Sequence, residues 1–241
     1  MLFKGKKRTI GVIGAMDAEI NALKERIENA KTVEYSGITY VCGDLGDTHV
    51  VAAKCGIGKV FAAVCAQTMI LEFKPDEIIN IGVGGSLTKE LDIGDVAIAD
   101  SCVQHDMDTS AVGDPVGLIS GINIINIPGD RDIADRFSAV AERLGINAKR
   151  GVIASGDCFV NSTKKKQAIA DAFDAIVCEM EGAAIGHVCY INKVKYCVVR
   201  AVSDNGDEDS GKDYMESLKK ASESALALMF GYIEDKGEKE R

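Results

Sequence analysis

Residues 9–27 of the chain are TIGVIGAMDAEINALKERI, and the change of pattern within this stretch decides the fold. Residues 9–15 form an apolar run without charge, which predicts a strand buried on both faces. Ile20, Leu23 and Ile27 then recur at helical spacing, which predicts an amphipathic helix. A buried strand followed by a helix is typical of an α/β fold whose helices cover both faces of the sheet.

The same alternation continues along the chain. Two consecutive strands around Gly46-Asp47 predict a hairpin, which makes the sheet mixed rather than purely parallel. We find no linker, repeat or break in composition, so we predict one domain over residues 1–241, a three-layer α/β sandwich with a mixed central β-sheet. The further predicted strands are residues 38–43, 49–53, 77–81, 95–99, 149–154 and 196–202, and the further predicted helices are residues 59–71, 131–144, 180–190 and 212–234.

Composition excludes several classes of protein. A hydrophobic fraction of 46% over 241 residues is enough for a full-sized core. The 37 acidic residues outnumber the 28 basic ones and leave a net charge of −9, which disfavours binding to nucleic acid. The longest uncharged stretch, residues 115–129, is interrupted by Gly, Asn and Pro and is shorter than the ~20 residues of a membrane span, so no membrane partner is expected.

Cysteine usage and the N-terminus bear on localisation. The 8 cysteines mostly lie in apolar stretches, and their spacing matches neither a CxxC pair nor a zinc site. Free thiols indicate a reducing compartment, so we expect a cytoplasmic protein. Residues 1–16 begin like a short signal peptide, but the apolar run ends at Asp17 and Glu19 without a cleavage pattern, and a buried first strand explains it better.

Glycine and acidic residues recur where the predicted strands end. In such sheets the ligand binds beyond the carboxyl ends of the strands, so these segments should border one pocket. Gly84 and Gly85 are adjacent, which would let a ligand approach backbone N–H groups closely. The segments are GAMDAE (14–19), CGIGK (55–59), GVGGS (82–86), SGDCFVN (155–161), CEMEG (178–182) and SDNGD (203–207).

Other motifs have simple structural explanations. Gly11 and Gly14 lack the GxGxxG spacing of a dinucleotide site, and the loop at residues 56–59 lacks the remaining residues of a P-loop. Both are interpreted as tight turns. The sequence HDMD at residues 105–108 is interpreted as a polar loop, and we predict no metal site.

Three carboxylates stand out at the strand ends. Glu19 and Glu181 each lie near the start of a predicted helix, where an acid favours the helix dipole, and Asp204 could form an Asx turn. Each one singly has this structural explanation. Together, at the ends of three different strands, they could supply an acid, a base and a sugar ligand around one pocket.

The six segments, in this order, resemble the 5′-methylthioadenosine/S-adenosylhomocysteine nucleosidases of the purine nucleoside phosphorylase superfamily. The combination GAM-x-x-E, EMEGAA and RA-x-SD carries the likeness, which extends from about residue 9 to residue 230. The resemblance implies a nucleoside phosphorylase-like fold and hydrolysis of these two nucleosides to adenine and a thio-ribose. It also implies a role in methionine salvage, a homodimer and no cofactor.

The resemblance also implies roles for individual residues. Glu19 matches the acid that activates water, Asp204 the acid that protonates N7 of the purine, and Glu181 a ribose ligand. A proton on N7 makes the base a neutral leaving group, and two carboxylates with separate roles resemble the pair of an inverting glycosidase. The other expected substrate-binding residues are Met16, Ile57, Gly85, Phe159, Val160, Met180, Arg200, Ser203 and Tyr214.

Two departures from the family pattern affect substrate handling. Val83 stands where members often have a serine that helps to hold the water, and Val112 and Asp114 stand where aromatics commonly line the 5′ pocket. The alternatives are an aminodeoxyfutalosine nucleosidase, a purine nucleoside phosphorylase and a non-catalytic nucleoside-binding protein. A phosphorylase would need cations where this chain has Glu19. A binding protein would need neither a base nor a proton donor.

Overall fold

The computed structural model describes residues 7–235, so the basic start of the chain and its last residues lie outside the described part. Strands and helices alternate along these residues as the apolar pattern predicts. Their bounds are β1 (Thr9–Gly14), α1 (Asp17–Glu25), β2 (Glu28–Tyr35), β3 (Ile38–Leu45), β4 (Thr48–Lys54), α2 (Lys59–Phe73), β5 (Glu77–Ser86), β6 (Val96–Gln104), β7 (Ile127–Pro128), α3 (Arg131–Leu144), β8 (Ala148–Ser155), α4 (Thr163–Phe173), β9 (Ala175–Glu179), α5 (Gly182–Asn192), β10 (Lys195–Asp204) and α6 (Ser210–Glu234).

The strands form one mixed sheet, which confirms the predicted fold class. Strand β5 is its centre, because it pairs in parallel with β1 and β10 and antiparallel with the end of β9. Since β10 also pairs with β6, and β8 joins β6 to β9, these five strands close on themselves. From the other side of β5 the sheet continues through β1 and β4 to β3 and β2.

Helices cover the sheet on both faces and complete the three layers. The core on one face contains residues of α2 and α5, such as Met69 and Ile185. The core on the other face contains residues of α1, α3 and α6, such as Leu23, Phe137 and Met229. Every residue of β5 is buried, as its apolar sequence requires for a strand between two helical layers.

Two local predictions, a hairpin and a helix, are confirmed. Strands β3 and β4 are antiparallel with Leu45 opposite Thr48, so the chain turns at Gly46 and Asp47 as predicted. The helix predicted over residues 131–144 has these bounds in the structure. All eight cysteines, which lie within residues 7–235, are free thiols. Within the same range, no helix has the length and apolar character needed to cross a bilayer.

Four of these elements were not predicted, namely β2, the two-residue strand β7, α4 and β9, and one predicted helix starts too early. Strand β2 is mostly exposed and carries charge, so it lacks the apolar pattern on which the strand predictions rest. Helix α4 buries only Ile169 fully, and β9 is short, so both were absent from the predictions. The helix predicted from Met180 begins at Gly182, because Glu181 occupies the N-cap position with non-helical backbone angles.

Candidate active site

The ends of β1, β5, β9 and β10 meet at one cavity of about 310 Å³. Segments that are far apart in sequence therefore border one space, as expected for strand ends in an α/β sheet. Of the predicted site residues, those that line this cavity are Met16, Glu19, Ile57, Gly85, Phe159, Val160, Met180, Glu181, Ser203, Asp204 and Tyr214. The remaining predicted residue, Arg200, is buried next to the cavity.

Glu19 is held at the first turn of α1 by three backbone N–H groups. Its Oε2 accepts hydrogen bonds from the N–H of Ala15 at 2.7 Å and of Met16 at 2.9 Å. Its Oε1 accepts a hydrogen bond from the N–H of Val83 at 3.0 Å. Burial raises the pKa of Glu19, while the charge of Arg200 and these N–H donors oppose the rise. A raised pKa brings a carboxylate closer to the range in which a general base works at neutral pH.

Asp204 lies at the end of β10 and has a different set of partners. Its Oδ2 accepts a hydrogen bond from the hydroxyl of Ser203 at 2.9 Å, and its Oδ1 accepts one from the N–H of Gly206 at 3.0 Å. Burial raises the pKa of Asp204, and the hydrogen bonds from these groups oppose the rise only in part. A hydroxyl can accept as well as donate, so Ser203 can also partner a protonated Asp204.

Glu181 connects the cavity to the loop before α2. Its Oε1 accepts a hydrogen bond from the N–H of Gly58 at 2.8 Å. Burial and the nearby charge of Glu179 raise the pKa of Glu181 to about 7, against the opposing charge of Arg200. Its Oε2 lies 3.7 Å from Nη2 of Arg200. A carboxylate held by one oxygen at a cavity wall can accept hydrogen bonds from ligand hydroxyls.

Arg200 is buried next to the cavity, where carboxylates balance its charge. It is almost fully buried and pairs with Glu179, and its Nη2 also donates to Oδ1 of Asn80 at 2.6 Å. Its Nε has no hydrogen-bond partner within residues 7–235. Burial lowers the pKa of Arg200, but the surrounding carboxylates outweigh burial and the pKa is raised. The guanidinium therefore stays charged, and its positive charge favours the ionised forms of Glu19 and Glu181.

Glu179 is a site residue that the sequence predictions missed. It lines the cavity, and its Oε2 accepts hydrogen bonds from the N–H groups of Glu181 at 2.9 Å and Gly182 at 2.7 Å. The pattern Glu-x-Glu before a helix was the available clue, because a carboxylate can cap a helix N-terminus in this way. Other lining residues that were not assigned a site role are Ala15, Gly84, Cys158 and Cys178.

One wall of the cavity is apolar and aromatic. The rings of Phe159 and Tyr214 meet edge to face with centroids 5.7 Å apart, and the hydroxyl of Tyr214 lies 3.0 Å from the sulfur of Met16. Phe159 is 45% exposed, whereas Val160 next to it is buried. An exposed aromatic face beside an apolar wall is suited to stacking on a planar base.

The two departures noted in the sequence lie in different places. Val83 lines the cavity, and it contributes its backbone N–H to Glu19. Val112 is 81% exposed and does not line the cavity of this chain. Asp114 accepts a hydrogen bond from the hydroxyl of Thr109 at 2.9 Å, within the same loop. Within residues 7–235 no group of three or more His, Cys, Asp or Glu side chains could hold a metal ion.

Comparison with known proteins identifies the family. Residues 9–234 match the phosphorylase superfamily, so the chain belongs to it. This agrees with the family that the sequence motifs indicated.

Solved structures with this fold include two kinds of enzyme, the 5′-methylthioadenosine/S-adenosylhomocysteine nucleosidases and a futalosine hydrolase. The 5′-methylthioadenosine/S-adenosylhomocysteine nucleosidase from Neisseria meningitidis, in complex with methylthio-immucillin-A, is 34% identical with a TM-score of 0.91, covering 94% of this chain and 98% of that chain. The futalosine hydrolase of Helicobacter pylori is 33% identical with a TM-score of 0.91, covering 94% and 97%. The nucleosidase from Colwellia psychrerythraea, in complex with adenine, is 30% identical with a TM-score of 0.90, covering 95% of each chain.

Proposed function

We propose that this chain is a purine nucleosidase that hydrolyses the N-glycosidic bond of 5′-methylthioadenosine and S-adenosylhomocysteine. The products are adenine and the corresponding thio-ribose. The observation that carries the proposal is the unequal hydrogen bonding of two buried carboxylates at one cavity, Glu19 and Asp204. Their partners suit them to opposite proton-transfer roles.

Glu19 is suited to act as the base. Its three partners are backbone N–H groups, which can donate but not accept, and they therefore favour the ionised carboxylate. Oε1 has one N–H partner and keeps a lone pair with which it can take a proton from water. A raised pKa makes Glu19 a stronger base than an ordinary glutamate once it is ionised.

Asp204 is suited to act as the acid. Its raised pKa increases the protonated fraction, and Ser203 can accept a hydrogen bond from the protonated oxygen. In the reaction, water attacks C1′ and gives a proton to Glu19. The bond between C1′ and N9 breaks with its electron pair moving to the purine, and N7 takes the proton from Asp204. The adenine leaves neutral.

Glu181 and the apolar wall would hold the two halves of the substrate. Oε2 of Glu181, which lies 3.7 Å from Nη2 of Arg200, keeps lone pairs that accept hydrogen bonds from the ribose hydroxyls, and its charge favours the cationic sugar in the transition state. Phe159 stacks on the purine, while Met16 and Tyr214 border the ribose and its 5′ sulfur. No step requires a cofactor or a metal ion.

Water rather than phosphate is the expected nucleophile. No lysine or arginine is present among the described lining residues, whereas Glu19, Glu179 and Glu181 are. The nearest buried cation, Arg200, is already paired with Glu179. A phosphate dianion in this cavity would meet carboxylates without a free cation to offset its charge.

Product analysis tests this proposal. Purified protein is incubated with 5′-methylthioadenosine, with and without added phosphate. We expect free adenine and a reducing methylthio-ribose at a rate that does not depend on phosphate. A sugar 1-phosphate, with turnover rising as phosphate is titrated in, would show that the chain is a phosphorylase.

Aminodeoxyfutalosine is the second candidate substrate. The comparison with the Helicobacter pylori futalosine hydrolase favours it, because that enzyme is as similar in fold as the methylthioadenosine nucleosidases. Cleavage of this nucleoside would use the same base and acid. The ratio of kcat/KM for the two substrates decides between them.

We also propose that the chain forms a homodimer and acts in the cytoplasm in methionine salvage. An apolar surface supports the dimer: α2 leaves Val60, Phe61 and Leu71 more than half exposed, and Ile191 at the end of α5 is similarly exposed. Contiguous exposed apolar residues are typical of subunit interfaces. Sedimentation velocity of the wild-type protein, compared with a Phe61→Glu variant, tests the dimer. Free thiols throughout residues 7–235 are consistent with the cytoplasm.

A further inference from the structure

Three polar residues adjoining segments that line the cavity form a closed ring of hydrogen bonds. The backbone N–H of Lys59 donates to Oδ1 of Asp157 at 2.8 Å, and the backbone N–H of Asp157 donates to Oδ2 of Asp106 at 2.9 Å. The ammonium of Lys59 donates to Oδ1 of Asp106 at 2.6 Å and so closes the ring. None of these three residues lines the cavity.

The ring joins the two loops that hold opposite ends of the proposed substrate. Next to Lys59, Gly58 donates its N–H to the ribose ligand Glu181 at 2.8 Å. Next to Asp157, Cys158 and Phe159 line the part of the cavity assigned to the base. The three hydrogen bonds therefore connect the segment next to the ribose ligand with the segment next to the base wall.

Tight packing around Gly58 and Gly156 leaves these two loops few alternative backbone conformations. Gly58 has φ +100°, and a Cβ there would lie 3.1 Å from Oδ1 of Asp157. A Cβ on Gly156 would overlap the ring of His105 at 2.3 Å. Burial raises the pKa of Asp106, but hydrogen bonds from Lys59 and Asp157 outweigh burial and the pKa is lowered. Asp106 is therefore ionised at neutral pH and accepts both hydrogen bonds.

We propose that Asp106 is a positioning residue, which sets the ribose loop and the base loop at their working separation through Lys59 and Asp157. This proposal rests on the proposed function, because the two loops matter through the nucleoside that they hold. Asp106 does not touch the substrate. It acts by ordering the loops before the nucleoside binds, so that binding does not have to order them.

This role predicts a particular kinetic signature. If the loops become mobile, part of the binding free energy is used to order them, and this loss affects the ground state and the transition state alike. KM for the nucleoside should then rise about tenfold in Asp106→Ala while kcat changes little. A purely structural role would instead reduce the fraction of folded enzyme, which lowers kcat and leaves KM unchanged.

The test compares Asp106→Ala with a matched control, Asp44→Ala. The side chains of Asp44 and Asp106 are both 30% exposed and both pair with a lysine, but Asp44 lies in β3, outside the cavity lining. Lys59→Met removes the ion pair with Asp106 by changing the lysine instead of the aspartate. It keeps the backbone N–H of residue 59, which donates a hydrogen bond to Asp157. The double variant Lys59→Met/Asp106→Ala should raise KM no more than about twofold beyond the stronger single variant. The two substitutions break the same ring of hydrogen bonds, so their effects should not add.

Hydrogen exchange supplies a readout that does not depend on activity. Asp106→Ala should speed amide exchange in residues 56–61 and 157–161 by at least about tenfold, and Asp44→Ala should leave both segments as in wild type. Unchanged exchange, a wild-type KM, or a loss confined to kcat would each overturn the proposal. If the wild-type protein cleaves no nucleoside, the proposed function fails, while the exchange data still decide whether Asp106 orders the two loops.

Discussion

The carboxylate of Glu19 accepts a hydrogen bond of 3.0 Å from the backbone N–H of Val83, which ties the first turn of α1 to β5. The residue that departs from the family pattern at this position therefore still supports the proposed base, through its main chain. The side chain of Val83 has no hydroxyl with which to hold the water. The water would then be held by Glu19 itself rather than by residue 83.

Glu19→Gln should lower kcat by about 10²–10⁴-fold, because the variant has no base to take the proton from water. In the wild type, both oxygens of the Glu19 carboxylate accept hydrogen bonds from the backbone N–H groups of Ala15, Met16 and Val83. In the glutamine variant one oxygen becomes an NH₂ group, which then faces at least one of these donors. The mismatch should cost about 1–3 kcal/mol of unfolding free energy. Adenine release and urea denaturation measure the two effects. Near-normal turnover in a folded variant would contradict the role of Glu19.

Asp204→Asn should lower kcat for methylthioadenosine by a similar factor of about 10²–10⁴, since N7 is no longer protonated. The loss should shrink strongly with a nitrophenyl 5-methylthio-riboside, whose leaving group departs without a proton. Comparing the two substrates in the same variant separates a lost acid from a disturbed fold. Equal losses with both substrates would show that Asp204 has another role.

Glu181 should make the stability of the protein depend on pH. Because its pKa is raised to about 7, the folded chain keeps a proton that the unfolded chain has already released, and this contribution to stability is lost as pH rises through 7. Relative to a chain without this carboxyl, the unfolding free energy should therefore fall between pH 5 and pH 8. Glu181→Gln should reduce that fall by on the order of 1–3 kcal/mol. Glu223→Gln, on an exposed position of α6, is the control and should leave the fall unchanged.

Glu181→Gln should also impair turnover, since the amide is a poorer partner for the ribose hydroxyls. An analogue that lacks both hydroxyls should be insensitive to the change. Equal impairment with that analogue would contradict a role in ribose binding. Initial rates for the two nucleosides, measured side by side, provide the comparison.

Two glycines should be required for the placement of the acids. A Cβ at Gly82 would lie 2.5 Å from Oε1 of Glu19, and a Cβ at Gly85 would lie 2.8 Å from Oδ1 of Asp204. Alanine at either position should displace the neighbouring carboxylate and lower kcat by about 10–100-fold. Gly211→Ala, where a Cβ meets no atom within 4 Å, is the matched control and should retain wild-type turnover. Wild-type kcat in both site variants would contradict this account.

The 5′ end of the substrate should be selected loosely. Val112 and Asp114 stand where the family commonly has aromatics, and neither lines the cavity of this chain, so no aromatic ring from this loop closes the 5′ end. A single methylene in an apolar pocket is worth only about 1–3 kcal/mol. Rates should fall gradually along the methylthio, ethylthio and butylthio adenosines. A drop of more than about a thousandfold at one methylene in the wild type would contradict loose selection.

Much of the fold could be predicted because its strands are continuous apolar runs. Strand β1, the hairpin of β3 and β4, and helix α3 all follow from local patterns. The exposed strand β2 could not be predicted in this way, because its stability comes from pairing with β3 rather than from an apolar face. The closure of five strands around β5 also has no local signature, since it depends on pairings between distant segments.

The sequence by itself determined that glycine and acidic residues follow the apolar strands, and it supplied the motifs that identify the family. Only the tertiary structure decided which of these residues act together. It brought Glu19, Glu181 and Asp204 to one cavity, placed Arg200 next to it against Glu179, and left Val112 outside it. The physical reason is that the burial of a side chain, its ion pairs and its hydrogen-bond donors depend on which residues surround it in the folded chain, and those residues are distant in sequence. Burial raises the pKa of all three acids, and it exists only once strands and helices from distant parts of the chain have packed around them.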